Sequence, residues 1–269
     1  MKAHVMLRHH KVYPREETIA GIVAAGDKLM TNANSNDLRE DCAVVTWNNY
    51  GLAKRFAGQC KEAGGVHVVM EGGYVRRNKG YYLMNLDGFN GNETVDYNYS
   101  SERWDKLGVE LRPWKMGGHH ILVCAQRGKQ NYSTMAMPSI WPDVVIKSIR
   151  EKTSMKIVYK PHPERVVSLL NVPDNCEVLD HREPLDKYLK DAFAVVVWTS
   201  NSATEALING VPVFYCGPTI ACARLAKKGV EYIEYPFYPD REETFYDLAW
   251  RQWNINEIQS GEAWRYVVQ

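Results

Sequence analysis

The chain has 269 residues, 45% of them hydrophobic and 24% charged, which suffices for one large or two modest domains. Its formal net charge of +1 provides no overall field that would recruit nucleic acid or an anionic membrane. The longest apolar runs are too short to span a bilayer, and the N-terminal segment lacks the apolar core of a signal peptide. We therefore expect a globular, cytoplasmic protein without a membrane span.

Short apolar runs and amphipathic segments alternate at the start of the chain. This pattern predicts strands at 3–7, 42–47 and 66–70, separated by helices at 16–23 and 50–62. Such an order favours a parallel sheet with helices on both faces. Residues 71–117, rich in Gly, Asn and Tyr, break the alternation, and we expect them to form a long functional loop or a linker.

Strands and helices alternate again from residue 121 onward. The strands are expected at 121–124, 156–159, 177–179, 193–198 and 212–215, and the helices at 141–150, 164–170, 185–190, 203–209 and 220–227. Repeated strand–helix units after a Gly-rich break predict a second doubly wound α/β domain. The tail, residues 244–266, has a helical pattern and is rich in Trp.

The first motif that indicates chemistry is Lys-Pro-His-Pro-Glu-Arg at residues 160–165. Its two prolines end the preceding strand and hold His162 at the carboxyl edge, where open parallel sheets bind ligands. The N-terminus of the next helix offers N–H groups to an anion, and Lys160 and Arg165 add positive charge. The same residues are equally consistent with a stiff turn that carries a solvated histidine.

The second motif is the polar run Thr199, Ser200, Asn201 and Ser202, between an apolar strand and a helix. One of these residues serves as the helix cap, but four exceed what capping requires. Their hydroxyl and backbone N–H groups are suited to a phosphate. Glu205, in the first turn, either completes a capping box with Ser202 or accepts hydrogen bonds from two ribose hydroxyls.

In this order and spacing, the two motifs resemble the donor-binding half of GT-B-type glycosyltransferases over residues 120–228. The resemblance is to the capsule-polysaccharide group, which includes the Kdo transferases and bacterial polysialyltransferases. It implies that His162, Ser200 and Ser202 contact the donor phosphate and that Glu205 binds the ribose. Lys160 and Arg127 would help to stabilise the departing phosphate.

The resemblance also implies the fold, an α/β architecture of two Rossmann-like, doubly wound domains that face a cleft. Residues 1–117 would form the acceptor-side domain and residues 118–240 the nucleotide-sugar-binding domain. Residues 241–269 would form C-terminal helices that cross back to the N-terminal domain.

A weaker match lies in the first half. Residues 66–77 resemble the Glu-Asp-Gly-Phe-Leu-Arg segment of the Kdo transferases, although Gly72 replaces its second acidic residue. Glu71 follows the predicted strand and is the first candidate for the general base that activates an acceptor hydroxyl. The alternative is a structural ion pair between Glu71 and Arg76 or Arg77.

Asp87 is the second candidate base. It lies in a turn-rich stretch, residues 85–92, that resembles a loop of small phage-encoded members of the family. Basic and aromatic residues also interleave near Glu71, and Tyr74, Arg76 and Arg77 are the candidate acceptor-binding residues. Such a surface suits a DNA backbone and an unstacked base, but it is equally consistent with a solvated basic loop.

The motifs and the family resemblance together imply a Leloir-type glycosyltransferase with a nucleotide-sugar as donor substrate. Adjacent histidines are poor chelators and no suitable carboxylate pair follows a strand, so neither a metal nor another cofactor is expected. The resemblance to small phage-encoded members of the family implies that the acceptor is a hydroxymethylated pyrimidine in bacteriophage DNA, in the host cytoplasm. A capsule or cell-wall polysaccharide is the alternative acceptor, and an epimerase-like or non-catalytic nucleotide-binding module is the alternative class. The sequence does not indicate the oligomeric state.

Overall fold

The computed structural model of the protein describes residues 1–8, 13–31, 34–48, 51–126, 135–163 and 175–268. The chain forms two compact units: unit 1 comprises Met1–Leu107 with Tyr246–Gln269, and unit 2 comprises Gly108–Phe245. Arg127, Arg165 and the helix predicted at 164–170 lie outside the described residues. Within the described part of the chain, no helix has the length and apolarity needed to cross a membrane.

The elements are numbered in chain order. The strands are β1 (Lys2–Val5), β2 (Lys28–Leu29), β3 (Cys42–Trp47), β4 (Val66–Gly72), β5 (Tyr81–Leu86), β6 (His120–Cys124), β7 (Lys156–Lys160), β8 (Glu177–Val178), β9 (Ala192–Val197), β10 (Val213–Tyr215), β11 (Lys227–Lys228) and β12 (Gln252–Asn254). The helices are α1 (Arg15–Ala24), α2 (Gly51–Glu62), α3 (Glu102–Leu107), α4 (Trp141–Arg150), α5 (Leu185–Leu189), α6 (Ser202–Ile208), α7 (Glu242–Trp250), α8 (Ile255–Gln259) and α9 (Glu262–Val268).

Unit 1 contains a six-stranded sheet in the order β12-β5-β4-β3-β1-β2. Strands β1 to β4 are parallel, whereas β5 and β12 run antiparallel to their neighbours. The chain proceeds outward from β1 in one direction and from β3 in the other, so the strand order reverses between β1 and β3. The carboxyl ends of β1 and β3 therefore flank the topological switch point of this sheet.

The prediction of a long loop over residues 71–117 is wrong, because this stretch contains β5 and α3. Strand β5 pairs with β4 and buries Leu83 and Met84 in the core. The sequence did not indicate this strand, because it is flanked by glycines and because its burial depends on its pairing with β4.

The continuous helical pattern expected over residues 244–266 is also interrupted, because β12 separates α7 from α8. Strand β12 pairs with β5 and buries Trp253 in the core of unit 1. Asn254 then caps α8 through a capping box with Glu257. Arg103 of α3 holds this region, because its guanidinium donates to the Gln252 carbonyl at 2.8 Å and to Glu257 Oε2 at 2.9 Å.

Unit 2 contains a six-stranded, fully parallel sheet in the order β11-β10-β9-β6-β7-β8. Its central strands are continuous apolar runs, as expected for a sheet covered on both faces. The strand order reverses between β6 and β9, and this is the switch point of unit 2. The helix expected at 220–227 is replaced by a 3₁₀ turn at Ala223–Leu225 and by β11, because this segment pairs with β10.

A buried charge cluster holds the C-terminal segment within unit 1. Arg251 donates to Glu93 Oε1 at 2.5 Å and also to Asp247 Oδ2, and all three side chains are almost fully buried. Tyr74 donates its hydroxyl hydrogen to Glu93 Oε1 at 3.2 Å. The single guanidinium thus compensates two buried carboxylates from distant parts of the chain.

Arg251→Met removes that compensation while preserving much of the side-chain volume. We expect the free energy of unfolding to fall by about 3–5 kcal/mol, because two carboxylates remain buried without their counter-charge. Urea denaturation measures this change. The control is Lys106→Met, whose exposed pair with Glu102 contributes ~0.5 kcal/mol or less. Equal denaturation midpoints for Arg251→Met and the wild type would contradict the role of the cluster.

Candidate functional site

The switch point of unit 2 is bridged by side chains at the carboxyl ends of β6 and β9. Thr199 donates to Gln126 Oε1 both from its backbone N–H, at 3.0 Å, and from its hydroxyl, at 2.6 Å. Gly217, which follows β10, packs so closely that an added Cβ would lie 2.3 Å from Thr199 Cγ2. Gln126 was not among the predicted site residues, although its position as a polar residue just after an apolar strand was a usable signal.

The Lys-Pro-His motif lies at the end of β7, beside β6. Lys160 is 7% exposed, and its Nζ donates to the His181 carbonyl at 2.9 Å. Burial lowers the pKa of Lys160 from its usual value. His162 follows β7 at the carboxyl edge and remains partly exposed. Lys160 thus fixes the adjoining turn from within, while His162 is accessible from solvent.

The polar run after β9 divides into a buried and an accessible part. Thr199 is buried, whereas Ser200, Asn201 and Ser202 are partly exposed. The Oγ atoms of Ser200 and Ser202 lie 3.0 Å apart, and the Ser202 N–H donates to Ser200 Oγ at 3.2 Å. Glu205 is exposed in the first turn of α6, which begins at Ser202 with Asn201 in the capping position.

Because β6 pairs with both β7 and β9, their ends bring Gln126, His162 and Ser200 to one edge of the sheet. Residues 127–134 and 164–174, which continue from this edge, lie outside the described part of the chain. Cys124 ends β6 beneath the edge, and burial raises the pKa of its thiol to about 12. The thiol therefore stays protonated at neutral pH and is not a nucleophile.

Two cavities of unit 2 lie toward the amino ends of the strands, away from the carboxyl edge that carries His162 and Ser200. One, of about 200 Å³, is lined by residues near the start of β6 and β9, including Ile121 and Phe193. The other, of about 360 Å³, is lined by Trp114, Tyr238 and Arg241. Because Arg241 donates to the Leu207 carbonyl at the C-terminal end of α6, this cavity is also remote from the carboxyl edge.

In unit 1, Glu71 lies at the carboxyl end of β4. Its Oε1 accepts hydrogen bonds from Arg77 Nη2 and from the Gly72 backbone N–H, both at 2.8 Å. A Cβ at Gly72 would lie 2.4 Å from Arg77 Nε, so glycine lets the arginine cross the backbone. The ion pair considered from the sequence is thus formed, with the Glu71 side chain 16% exposed.

The segment after Glu71 is held from the interior of unit 1. The Gln252 side-chain amide accepts from the Val75 N–H at 2.9 Å and donates to the Val75 carbonyl at 3.0 Å. Tyr74 is buried, and its hydroxyl accepts from the Asn90 N–H at 2.6 Å. Desolvation and the nearby Glu93 hold the pKa of Tyr74 well above its usual value.

The other predicted acceptor-binding residues, Arg76 and Arg77, are exposed. Arg76 has a left-handed backbone with φ of 57°, and its Nε donates to the Leu107 carbonyl at 3.0 Å. The structure therefore divides the predicted acceptor-binding residues into two exposed arginines and one buried tyrosine.

Asp87 lies at the opposite edge of the same sheet from Glu71, because β5 runs antiparallel to β4. Its backbone N–H donates to the His67 carbonyl at 2.9 Å, and its Oδ2 contacts Lys61 Nζ and Thr94 Oγ1, each at 2.9 Å. The two candidate bases thus lie at different ends of the strands. Of the two, only Glu71 lies at the carboxyl edge of the parallel strands of unit 1.

Each unit is an α/β unit with a doubly wound sheet, and together they define a fold of the GT-B type. No family model matches the chain, and no curated protein matches it. Among solved structures, the fold is shared with the beta Kdo 2,4 transferase of KpsC from Thermosulfurimonas dismutans (TM-score 0.62, 12% identity, 96% of this chain and 98% of that chain covered). The beta Kdo 2,7 transferase of the same KpsC also matches (TM-score 0.56, 16% identity, 98% and 99% covered). The expected two-domain α/β fold is thereby confirmed.

In the described ranges, no three His, Cys, Asp or Glu side chains are grouped so that they could hold a metal ion.

His67, beneath Asp87, allows a test of the amino edge of unit 1. It is 3% exposed, its Nε2 lies 2.9 Å from Thr46 Oγ1, and burial lowers its pKa from 6.5 to about 4. The unfolded chain binds this proton near pH 6.5, whereas the folded chain binds it only near pH 4. The contribution of His67 to stability is therefore complete above the higher pH and is lost as the pH falls toward the lower one.

We expect the imidazole NMR resonances of His67, assigned by comparison with His67→Asn, to titrate with a midpoint near pH 4. A midpoint near the ordinary value of 6.5 would contradict the burial of this ring.

Proposed function

We propose that the protein is a GT-B glycosyltransferase that moves a sugar from a nucleotide-activated donor to an acceptor hydroxyl. The observation that carries this proposal is the carboxyl edge of unit 2, where His162, Ser200 and Ser202 are accessible around the switch point. Open parallel sheets bind ligands at such points. The fold shared with two Kdo transferases supports the same function.

The donor-side residues divide into contacts and supports. His162 and the hydroxyls of Ser200 and Ser202 would bind the donor phosphate, and the exposed Glu205 would accept hydrogen bonds from the ribose. Thr199 and Lys160 are better suited as supports, because their polar groups already bind Gln126 and the His181 carbonyl. Asn201, Arg127 and Arg165 remain candidate donor contacts.

The acceptor-side base is proposed to be Glu71 rather than Asp87. Both carboxylates pair with a basic side chain, Glu71 with Arg77 and Asp87 with Lys61, but only Glu71 lies at the carboxyl edge of the unit 1 sheet. In the reaction, the acceptor oxygen forms a bond to the anomeric carbon while the bond to the donor phosphate breaks. Glu71 takes the acceptor proton, and His162 stabilises the departing phosphate.

The proposed acceptor is a carbohydrate hydroxyl and the proposed sugar is Kdo, because both structural relatives are Kdo transferases. Hydroxymethylated pyrimidine in phage DNA is the second candidate acceptor, because Arg76 and Arg77 are exposed close to Glu71 in the chain. The proposed transfer needs neither a metal nor another cofactor.

Mass spectrometry separates these possibilities. The protein is incubated with nucleotide-sugars, including nucleotide-activated Kdo, together with either a glycan acceptor or hydroxymethylated DNA, with and without EDTA. The proposal expects one sugar mass on the glycan in both conditions. A sugar mass added to the DNA alone would show that hydroxymethylated pyrimidine is the acceptor. Loss of transfer in EDTA would contradict the metal-free reaction. Conversion of a nucleotide-sugar without acceptor would indicate an epimerase instead.

His162→Ala should weaken nucleotide binding by roughly tenfold to a hundredfold, the usual cost of losing a charge-assisted hydrogen bond. Isothermal titration calorimetry measures this change. His119→Ala is the matched control, because His119 is exposed and immediately precedes β6 at the opposite edge. A folded His162→Ala variant with wild-type affinity for every nucleotide tested would remove the main support for the donor site.

Glu71→Gln preserves the side-chain shape and removes the base. It should lower kcat by ~10²–10⁴-fold, with nucleotide affinity retained. Asp87→Asn is the control, expected to keep near-native kcat because Asp87 lies at the amino edge. If Asp87→Asn were inactive and Glu71→Gln active, the base assignment would move to Asp87.

A further inference from the structure

Four residues other than glycine have a left-handed backbone in the described part of the chain: Asn48, Arg76, Asp87 and Asn90. This conformation is unfavourable for residues with a Cβ and persists only where the surroundings impose it. For two of them, the side chain has a clear partner in the protein. Arg76 binds the Leu107 carbonyl, and Asp87 binds Lys61 and Thr94.

Asn48 differs from Arg76 and Asp87, because its hydrogen-bond partners are all reached through its backbone. Its N–H donates to the Met70 carbonyl at 2.8 Å, and its carbonyl accepts from Thr46 Oγ1 at 2.7 Å. Among the described residues, no hydrogen bond is made by its side-chain amide, although the residue is only 9% exposed. Asparagine commonly adopts the left-handed conformation when its side chain forms a local hydrogen bond, and the described residues provide no such bond for Asn48.

The position of Asn48 suggests what the amide is for. It follows β3 directly, at the switch point of the unit 1 sheet, where α/β sheets bind ligands. Its N–H binds the carbonyl of Met70, the residue immediately before Glu71. Asn48 and the candidate base therefore lie on adjacent strands at the same edge.

Three aromatic side chains lie at the same edge. Tyr13 packs edge-on against Trp47, with ring centroids 4.7 Å apart, and Trp47 packs against Tyr82 at 6.3 Å. All three are partly exposed. Aromatic walls with a few polar groups are typical of sites for small organic rings.

We infer that Asn48 is an acceptor-binding residue whose side-chain amide hydrogen-bonds a hydroxyl of a ring-shaped acceptor beside Glu71. The inference rests on the proposed function and specifies the substrate class at the same site. It also explains why asparagine, rather than glycine, occupies a position with φ of 54°. Glycine would adopt this backbone without strain, so the amide supplies what glycine cannot.

The test is Asn48→Gly, which removes the amide but keeps both backbone hydrogen bonds. The matched control is Asn90→Gly, the same substitution at another left-handed asparagine, with φ of 60°. For each variant, the acceptor KM, kcat, nucleotide affinity and Tm are measured with the acceptor found for the wild type.

We expect Asn48→Gly to raise the acceptor KM roughly 3- to 10-fold, the usual effect of one neutral hydrogen bond. Nucleotide affinity should stay unchanged and Tm should stay equal or rise, because the backbone strain is relieved. Asn90→Gly should leave the acceptor KM at the wild-type value.

An unchanged acceptor KM in Asn48→Gly, or an equal rise in both variants, would overturn the inference while the proposed function stands. A fall in Tm or in nucleotide affinity together with the rise in KM would also overturn it, because the role would then be structural. Absence of any transfer by the wild type would overturn the proposed function and this inference with it.

Discussion

In a parallel sheet every strand ends at the same edge, and the chain must leave that edge in one of two directions. In unit 2 the direction reverses between β6 and β9, which makes the space between their ends the topological switch point of the sheet. The Gln126–Thr199 hydrogen bonds join the two ends there, and Gly217 allows the turn after β10 to pack against them. The buried Thr199, which joins the strand ends, is thus followed by the partly exposed Ser200 and Ser202.

Unit 1 depends on a second constraint, the return of the C-terminal segment to its sheet. Strand β12 covers the edge of β5, and Gln252 binds both backbone polar groups of Val75, 177 residues earlier. Arg251 adds the buried charge cluster with Glu93 and Asp247. The segment that follows Glu71 is therefore held in place by residues far away in the chain. These contacts help to fix the position of the Glu71 carboxylate.

Much of the fold could be predicted from the sequence because β3 and α4 are periodic and clearly bounded, at Cys42–Trp47 and Trp141–Arg150. Strands β5 and β12 could not, since their identity comes from pairing with each other across the chain. The polar ends of β7 and β9 were visible as candidate sites, because polar residues that follow an apolar strand fall at one edge. The burial of Tyr74 and the left-handed backbone of Asn48 leave no such signal, because both depend on tertiary contacts.

The central claim is that a nucleotide binds at the carboxyl edge of unit 2, around the ends of β6, β7 and β9. Hydrogen–deuterium exchange of the whole chain, with and without saturating nucleotide, tests it directly by mass spectrometry. Binding at this edge predicts slower exchange in peptides that contain Gln126, His162 and residues 199–205. Protection confined to unit 1, or to peptides around Trp114 and Tyr238 at the amino-edge cavity, would contradict the claim.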